Sequence, residues 1–395
     1  EDCRRQRQMC IRDRPIPSQV MSEITDLMSN GDLFRYNSEG SAAHRLEIEF
    51  SKIMGVRYSL AVSSCSAALF LALKSLNLPS KARVLMPAFT FAAVPSSVIH
   101  ADFIPILCEC RDDYRIDLID FKEKIKTADA VLISHMRGHT SDMDIILSEC
   151  KQADIPLIED AAHSLGTTWN GKKIGTIGDI GCFSFQSYKM LNSGEGGIFI
   201  TDNPELFAKA VIMSGAYEHN WIKHQGDQAH FKKWQNKLPL YNLRINNLSA
   251  VLINAQLPEL NRRIEKGRRN HDFTAERLNT SPWISVPEKL TPEERAPDSI
   301  QFNLINLDTD EIDLFEKITS QSGLNVQIFG RTKDNARAFW NWQFLPETFE
   351  LPKTRKMLMS ACDVRLPSRL TLDECNAISD VILSAISTIK SGVAA

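Results

Sequence analysis

Short apolar runs separated by stretches of helical periodicity dominate the first two thirds of the chain. Runs at 59–63, 83–86, 104–107, 130–134, 155–158, 180–185 and 197–201 are apolar or β-branched and too short for helices, so they are predicted strands. Apolar residues at helical spacing fill 67–76, 91–100, 118–126 and 143–153 between them. Two further helices are predicted before the first strand, at 18–29 with Gly31 as its stop and at 42–54 ending before Gly55. Strands that alternate with helices predict an α/β fold, a large domain with a mostly parallel sheet covered on both faces.

The pattern changes near Asn246. Residues 247–278 read as one long or broken helix, with Pro258 marking a kink or a start because it lacks a backbone N–H. Beyond Pro282, strand-like runs at 300–305 and 325–328 mix with helical ones at 310–320 and 372–387. The expected organisation is a large domain over 15–246, a connecting helix over 247–279 and a smaller α+β domain over 280–395. The first fourteen residues, EDCRRQRQMCIRDR, are basic, contain no apolar run and resemble translated sequencing-adaptor strings. They are expected to be non-native or disordered.

Composition narrows the function classes. With 43% hydrophobic and 24% charged residues, the 395-residue chain is that of an ordinary soluble protein. A net charge of −3 leaves no electrostatic footprint for nucleic acid. No stretch approaches the ~20 apolar residues of a membrane span. The nine cysteines form no zinc-type spacing, and a reduced cytoplasmic compartment is the simplest setting. No metal is expected.

Four places carry residues suited to chemistry. The run Ile155-Pro-Leu-Ile-Glu159-Asp160 is an apolar strand ending in carboxylates. In open parallel sheets ligands sit at the carboxyl ends of strands, so Asp160 either meets a ligand there or caps the next helix. Lys189 follows the strand Phe183-Ser184-Phe185 and precedes the turn Gly194-Glu195-Gly196-Gly197. A lysine amine is neutral at pH 7 only when burial or cations depress its pKa, and such an amine can form an imine; otherwise Lys189 is a surface residue. Ser64, Cys65 and Ser66 stand between a strand and a helix, where free backbone N–H groups cradle phosphate or a serine simply caps the helix. Phe91 follows another strand and either covers an aromatic ligand or belongs to the core.

Together these segments resemble the DegT/DnrJ/StrS sugar aminotransferases, a family of fold-type I pyridoxal-phosphate enzymes. The resemblance rests on Glu159-Asp160-Ala-Ala-His163, Ser184-Phe-Gln186-Ser-Tyr-Lys189 followed by Gly194-Glu-Gly-Gly, and Leu240-Tyr241-Asn242-Leu243. Leu46-Glu47-Ile-Glu-Phe, Asp142-Met-Asp144 and Leu366-Pro367 add to it, so it extends from about Gly31 to the C-terminal helix. It implies that Lys189 carries the cofactor as a Schiff base and that Asp160 pairs with the pyridine nitrogen. Phe91 would stack on the ring, with His163 close to it. Ser64, Cys65, Ser66 and Ser184 would hold the phosphate, with Gln186 nearby, and Asn242 would reach the phosphate of a neighbouring subunit in a homodimer. The implied substrates are an amino donor, glutamate or glutamine, and a keto-sugar acceptor. Another pyridoxal-phosphate reaction or a non-catalytic regulatory protein are the alternatives.

The chain also departs from that family. Cys65 stands where relatives usually carry glycine, and it can serve only if the local φ is not strongly positive. The segment His135-Met-Arg137-Gly-His139-Thr replaces the His-Leu-Tyr-Gly version of many nucleotide-sugar enzymes. Arg137 and His139 either contact a substrate anion or lie in a solvated loop. The polar, aromatic stretch 217–237 is expected to be a loop near the site, its two tryptophans stacking on a sugar or pinning the loop.

Overall fold

A computed structural model describes residues 16–331 and 334–392, so the basic stretch 1–14 lies outside the described residues. In chain order the first nine strands are β1 Tyr58–Val62, β2 Arg83–Pro87, β3 Ile104–Cys108, β4 Ala130–Ser134, β5 Leu157–Asp160, β6 Thr168–Trp169, β7 Lys172–Lys173, β8 Ile180–Ser184 and β9 Gly197–Thr201. Seven of them form one sheet in the order β1-β9-β8-β5-β4-β2-β3. The neighbours from β8 to β3 pair in parallel, and β9 alone runs against the rest.

The sheet is buried on both faces, which explains why its strands read as continuous apolar runs. Every residue of β4, β5, β8 and β9 is buried. Successive side chains alternate between two cores, as a pleat of period two requires. Val84, Met86 and Leu132 enter one core with helices Cys65–Ser75 and Pro204–Met213. Leu85, Val131 and Ile133 enter the other with helices Ala42–Met54 and Met143–Ala153. Polar caps fix the helix starts: Ser41, Asp142 and Asn203 accept hydrogen bonds from first-turn N–H groups.

Pro258 breaks the predicted long helix. Helix Asn247–Asn254 ends, a single turn Leu257–Glu259 intervenes, and helix Leu260–Leu278 follows. Beyond it, β10 Ile284–Ser285, β11 Glu293–Glu294, β12 Ser299–Leu304, β13 Gln327–Ile328 and β14 Ala361–Arg365 complete the strands. A second, antiparallel sheet has the order β10-β12-β14-β13, and helices Thr309–Gln321 and Leu372–Ser391 pack with it around a separate core. The chain does not stay in this unit. Phe329, Phe339, Trp342 and Leu358 join the core of the large sheet.

Six strand ends meet at the carboxyl edge of the large sheet: those of β1, β2, β3, β4, β5 and β8. Because β9 is antiparallel, it begins at that edge, and Gly197 lies against the turn after β1. A Cβ at Gly197 would stand 2.3 Å from the Ser64 carbonyl carbon and 2.5 Å from the Cys65 nitrogen. Backbone atoms cannot rotate away, so Gly197→Ala must displace the turn. The expected result is a loss of about 1–3 kcal/mol of stability, read as a lower denaturation midpoint.

Candidate active site

Asp160 ends β5 at 6% exposure, and its orientation is fixed from two sides. Its Oδ2 accepts from Ser134 Oγ at 2.8 Å, and its Oδ1 accepts from the Ala162 N–H at 3.1 Å. Register makes the first bond, because Ser134 ends β4 directly opposite Asp160. No cation forms an ion pair with Asp160 among the described residues. A buried carboxylate held by hydrogen bonds and lacking a cation is ready to receive one.

The preceding carboxylate has a different task. Glu159 is fully buried and points to the other face of the strand. It accepts from the backbone N–H groups of Gly175, Ile177 and Gly178 at 2.7–2.8 Å, and lies 3.2 Å from His135 Nε2. It therefore orders the turn between β7 and β8. The strand period assigns one acid to structure and the other to the site.

Lys189 lies in the bend after β8 and is half-buried. Its Nζ sits 2.7 Å from His163 Nε2. Desolvation, then the charges of Arg137 and Arg365, bring the Lys189 amine down to about 7, with Asp160 opposing them. Burial and the charge of Lys189 hold His163 well below its ordinary value, so the imidazole is neutral. A lysine that is half uncharged at neutral pH is a usable nucleophile. Capture of an aldehyde by Lys189 should accelerate about tenfold per pH unit below pH ~7 and level off above it. Stopped-flow mixing with pyridoxal phosphate over pH 5.5–9 checks this, and a midpoint near 10 would reject it.

The turn after β1 is built as expected. Ser64 caps helix Cys65–Ser75, accepting from the Ala67 N–H at 3.0 Å. Cys65 is the first helical residue and is not among the residues with positive φ, so its side chain is compatible with the turn. Its Sγ lies 3.9 Å from Asp160 Oδ1, and burial pushes the thiol well above its ordinary pKa. Ser66 is exposed. Ser184 ends β8 and accepts from the Gln186 N–H at 3.3 Å, while Gln186 Oε1 accepts from the Tyr188 N–H.

Phe91 and Asn242 are less enclosed. Phe91 is 45% exposed at the end of the loop after β2, with the Arg337 guanidinium 5.8 Å from its ring centroid. Asn242 is exposed on the strand-like segment whose Leu243 carbonyl accepts from the Ser63 N–H, so it flanks the turn from outside.

Two readings of the sequence change here. The segment 135–140 is no solvated loop: His135, Arg137, His139 and Thr140 are all buried. The stretch 217–237 is partly helical, and its tryptophans pin it. Trp221 is buried against Phe231, and Trp234 donates to Glu205 Oε1 at 2.6 Å. Ser134, Arg337 and Arg365 were not singled out by sequence. Ser134 was findable as the last residue of a predicted strand. Arg365 ends β14 of the antiparallel sheet and Arg337 comes from the segment that returns to the large-sheet core, and neither leaves a local signal.

Residues 17–383 match the DegT/DnrJ/EryC1/StrS aminotransferase family. The chain is 29% identical over 300 residues to the Bacillus subtilis spore coat polysaccharide biosynthesis protein SpsC, covering 75% of this chain and 74% of that one. It is 32% identical over 234 residues to the GDP-perosamine synthase of Vibrio cholerae, covering 59% of this chain and 61% of that one, under two thirds of its length. Among solved structures, the putative sugar aminotransferase Spr1654 from Streptococcus pneumoniae in its PLP form superposes with a TM-score of 0.81 at 18% identity, covering 95% of this chain and 98% of that chain. That likeness establishes the shared fold.

Proposed function

Because the chain belongs to the DegT/DnrJ/EryC1/StrS aminotransferase family, we propose that it moves an amino group from glutamate or glutamine to a keto sugar or nucleotide-linked keto sugar, with pyridoxal 5′-phosphate as cofactor. The observation that carries this reading is the pairing, at one sheet edge, of a lysine amine with a pKa of about 7 and a buried carboxylate without a cation. These residues fit the cofactor. Bound there, pyridoxal phosphate supplies an aldehyde for the amine and an electron sink for charge left on the substrate carbon.

The remaining work belongs to the chain. Asp160 holds its negative charge against the pyridine nitrogen and keeps that nitrogen protonated. Lys189 would hold the cofactor, and its amine is placed to take and return the proton at the reacting carbon. Phe91 would cover one face of the ring, with His163 near it. Ser64, Cys65, Ser66 and Ser184 hold the phosphate, supported by Gln186 and by the positive end of helix Cys65–Ser75. Asn242 faces outward, suited to serve the phosphate of a second copy in a homodimer that shares its two sites.

The domain layout we propose is 15–246 for cofactor binding, 247–279 as connecting helix and 280–395 as the small domain. No helix among the described residues is long and apolar enough to cross a membrane, and we place the enzyme in the cytoplasm. The names of the relatives, a perosamine synthase and a spore coat polysaccharide protein, support an amino sugar bound for a surface polysaccharide. Steady-state rates with glutamate or glutamine and a panel of keto sugars test the reading. Parallel double-reciprocal lines and stoichiometric 2-oxoglutarate or 2-oxoglutaramate are expected from two separate half-reactions. No 2-oxoglutarate from glutamate and no 2-oxoglutaramate from glutamine with any acceptor would reject the transamination reading.

A further inference from the structure

We propose that Arg137, with Arg337 and Arg365, forms a carboxylate subsite beside Lys189, so that at least one substrate of the proposed transamination is gripped by a carboxylate. The inference rests on that reading of the site and names a substrate feature it leaves open.

Arg137 is 3% exposed. Its backbone adopts φ 57°, a left-handed conformation that a residue with a side chain rarely occupies, so the turn after β4 is held there by its surroundings. Only one of its nitrogens is engaged, Nη2, which donates to Asp363 Oδ2 at 2.5 Å. Nε and Nη1 are buried without a partner. Buried donors without partners are rare in native proteins, and a guanidinium in that state is ready for an acceptor.

The neighbourhood is short of negative charge. Arg337 is also partly buried, with its own Nε unpartnered, and its guanidinium lies over the Phe91 ring at 5.8 Å. Arg365 lies 3.5 Å from Asp298 Oδ1 and over the Tyr188 ring. Arg337 and Arg365 both act on Arg137, and all three act on His163. Against these three cations stand Asp363 and Asp298, and Asp363 is already shared between Arg137 and the Gln301 amide. Burial lowers Arg137 to about 9, which leaves it protonated at neutral pH. Three guanidinium groups gather here, and Arg137 Nε and Nη1 are left without an acceptor, which a substrate carboxylate would supply.

Nucleotide-sugar enzymes with the His-Leu-Tyr-Gly version carry an uncharged tyrosine where this chain has Arg137. The carboxylate has two possible sources, the α-carboxylate of the amino donor or an acid group on the acceptor sugar.

Half-reactions of the holoenzyme separate them. The donor arm compares L-glutamate with its α-amide, isoglutamine. The acceptor arm offers a keto hexuronic acid and the matching neutral keto hexose to amino-loaded enzyme. Both are run near pH 8, above the Lys189 midpoint of about 7 and below that of Arg137 at about 9. In the wild type the acid should be favoured in one arm. Arg137→Leu should erode that preference by roughly 10–100-fold in half-saturating concentration, and Arg137→Lys should restore part of it. Erosion in the donor arm assigns the α-carboxylate, and erosion in the acceptor arm assigns an acidic sugar. Equal loss for acid and neutral partner in both arms, or loss of cofactor from Arg137→Leu, overturns the subsite. If the leucine variant does not fold, wild-type binding decides. Succinate but not succinamide should raise the melting midpoint, and equal shifts would overturn the proposal. This last measurement needs no turnover, so it fails separately from the aminotransferase reading.

Discussion

Lys189→Ala is expected to lower turnover by at least about 10²–10⁴-fold, the usual worth of a positioned proton-transfer group, and to end covalent cofactor attachment. Two functions are lost at once, the bond to the cofactor and the base at the substrate carbon. The fold should survive. Lys189 is half-buried in a bend, its Nζ hydrogen-bonds with His163, and a shorter side chain releases a desolvated amine. An unchanged melting midpoint beside a collapsed rate is therefore the predicted pair of results. Retention of more than about a tenth of wild-type turnover would remove Lys189 from the chemistry.

Asp160→Asn should cost about 10²–10³-fold in kcat, the scale for removing one preorganised electrostatic partner. Asparagine keeps the size, and its amide oxygen can still accept from the Ala162 N–H. What is lost is the negative charge offered to a ring nitrogen. Glu159→Gln provides the contrast one position away. It weakens a carboxylate that holds three backbone N–H groups, so it should cost about 1–3 kcal/mol of stability while the purified enzyme keeps most of its rate. Rate measurements beside thermal melts on the two variants separate them. If both lost activity in proportion to stability, Asp160 would be a structural acid like its neighbour.

The large sheet was legible in the sequence because burial on both faces wrote its strands as uninterrupted apolar runs. Pro258 marked the break between two helices for a covalent reason, its missing N–H. β14 was not legible: Ala361-Cys-Asp-Val-Arg mixes polar and small residues, since one of its acids, Asp363, holds Arg137 and Gln301. The predicted strand at 325–328 shrinks to Gln327–Ile328, and the following segment turns back to the large-sheet core, a tertiary outcome with no local periodicity. Residues of the site that sit at strand ends, Asp160 and Ser184, announced themselves through the strand before them. Arg337 and Arg365 did not, because chain segments far away in sequence deliver them. Arg137 was visible as an unusual residue, yet nothing local told that its loop is buried.

The central claim is that Lys189 holds the cofactor. Holoenzyme reduced with borohydride, digested and mapped by mass spectrometry tests it most directly. The account predicts one peptide carrying the phosphopyridoxyl mass, modified at Lys189. Modification at another lysine, or none in wild type under conditions that retain the cofactor, would contradict it.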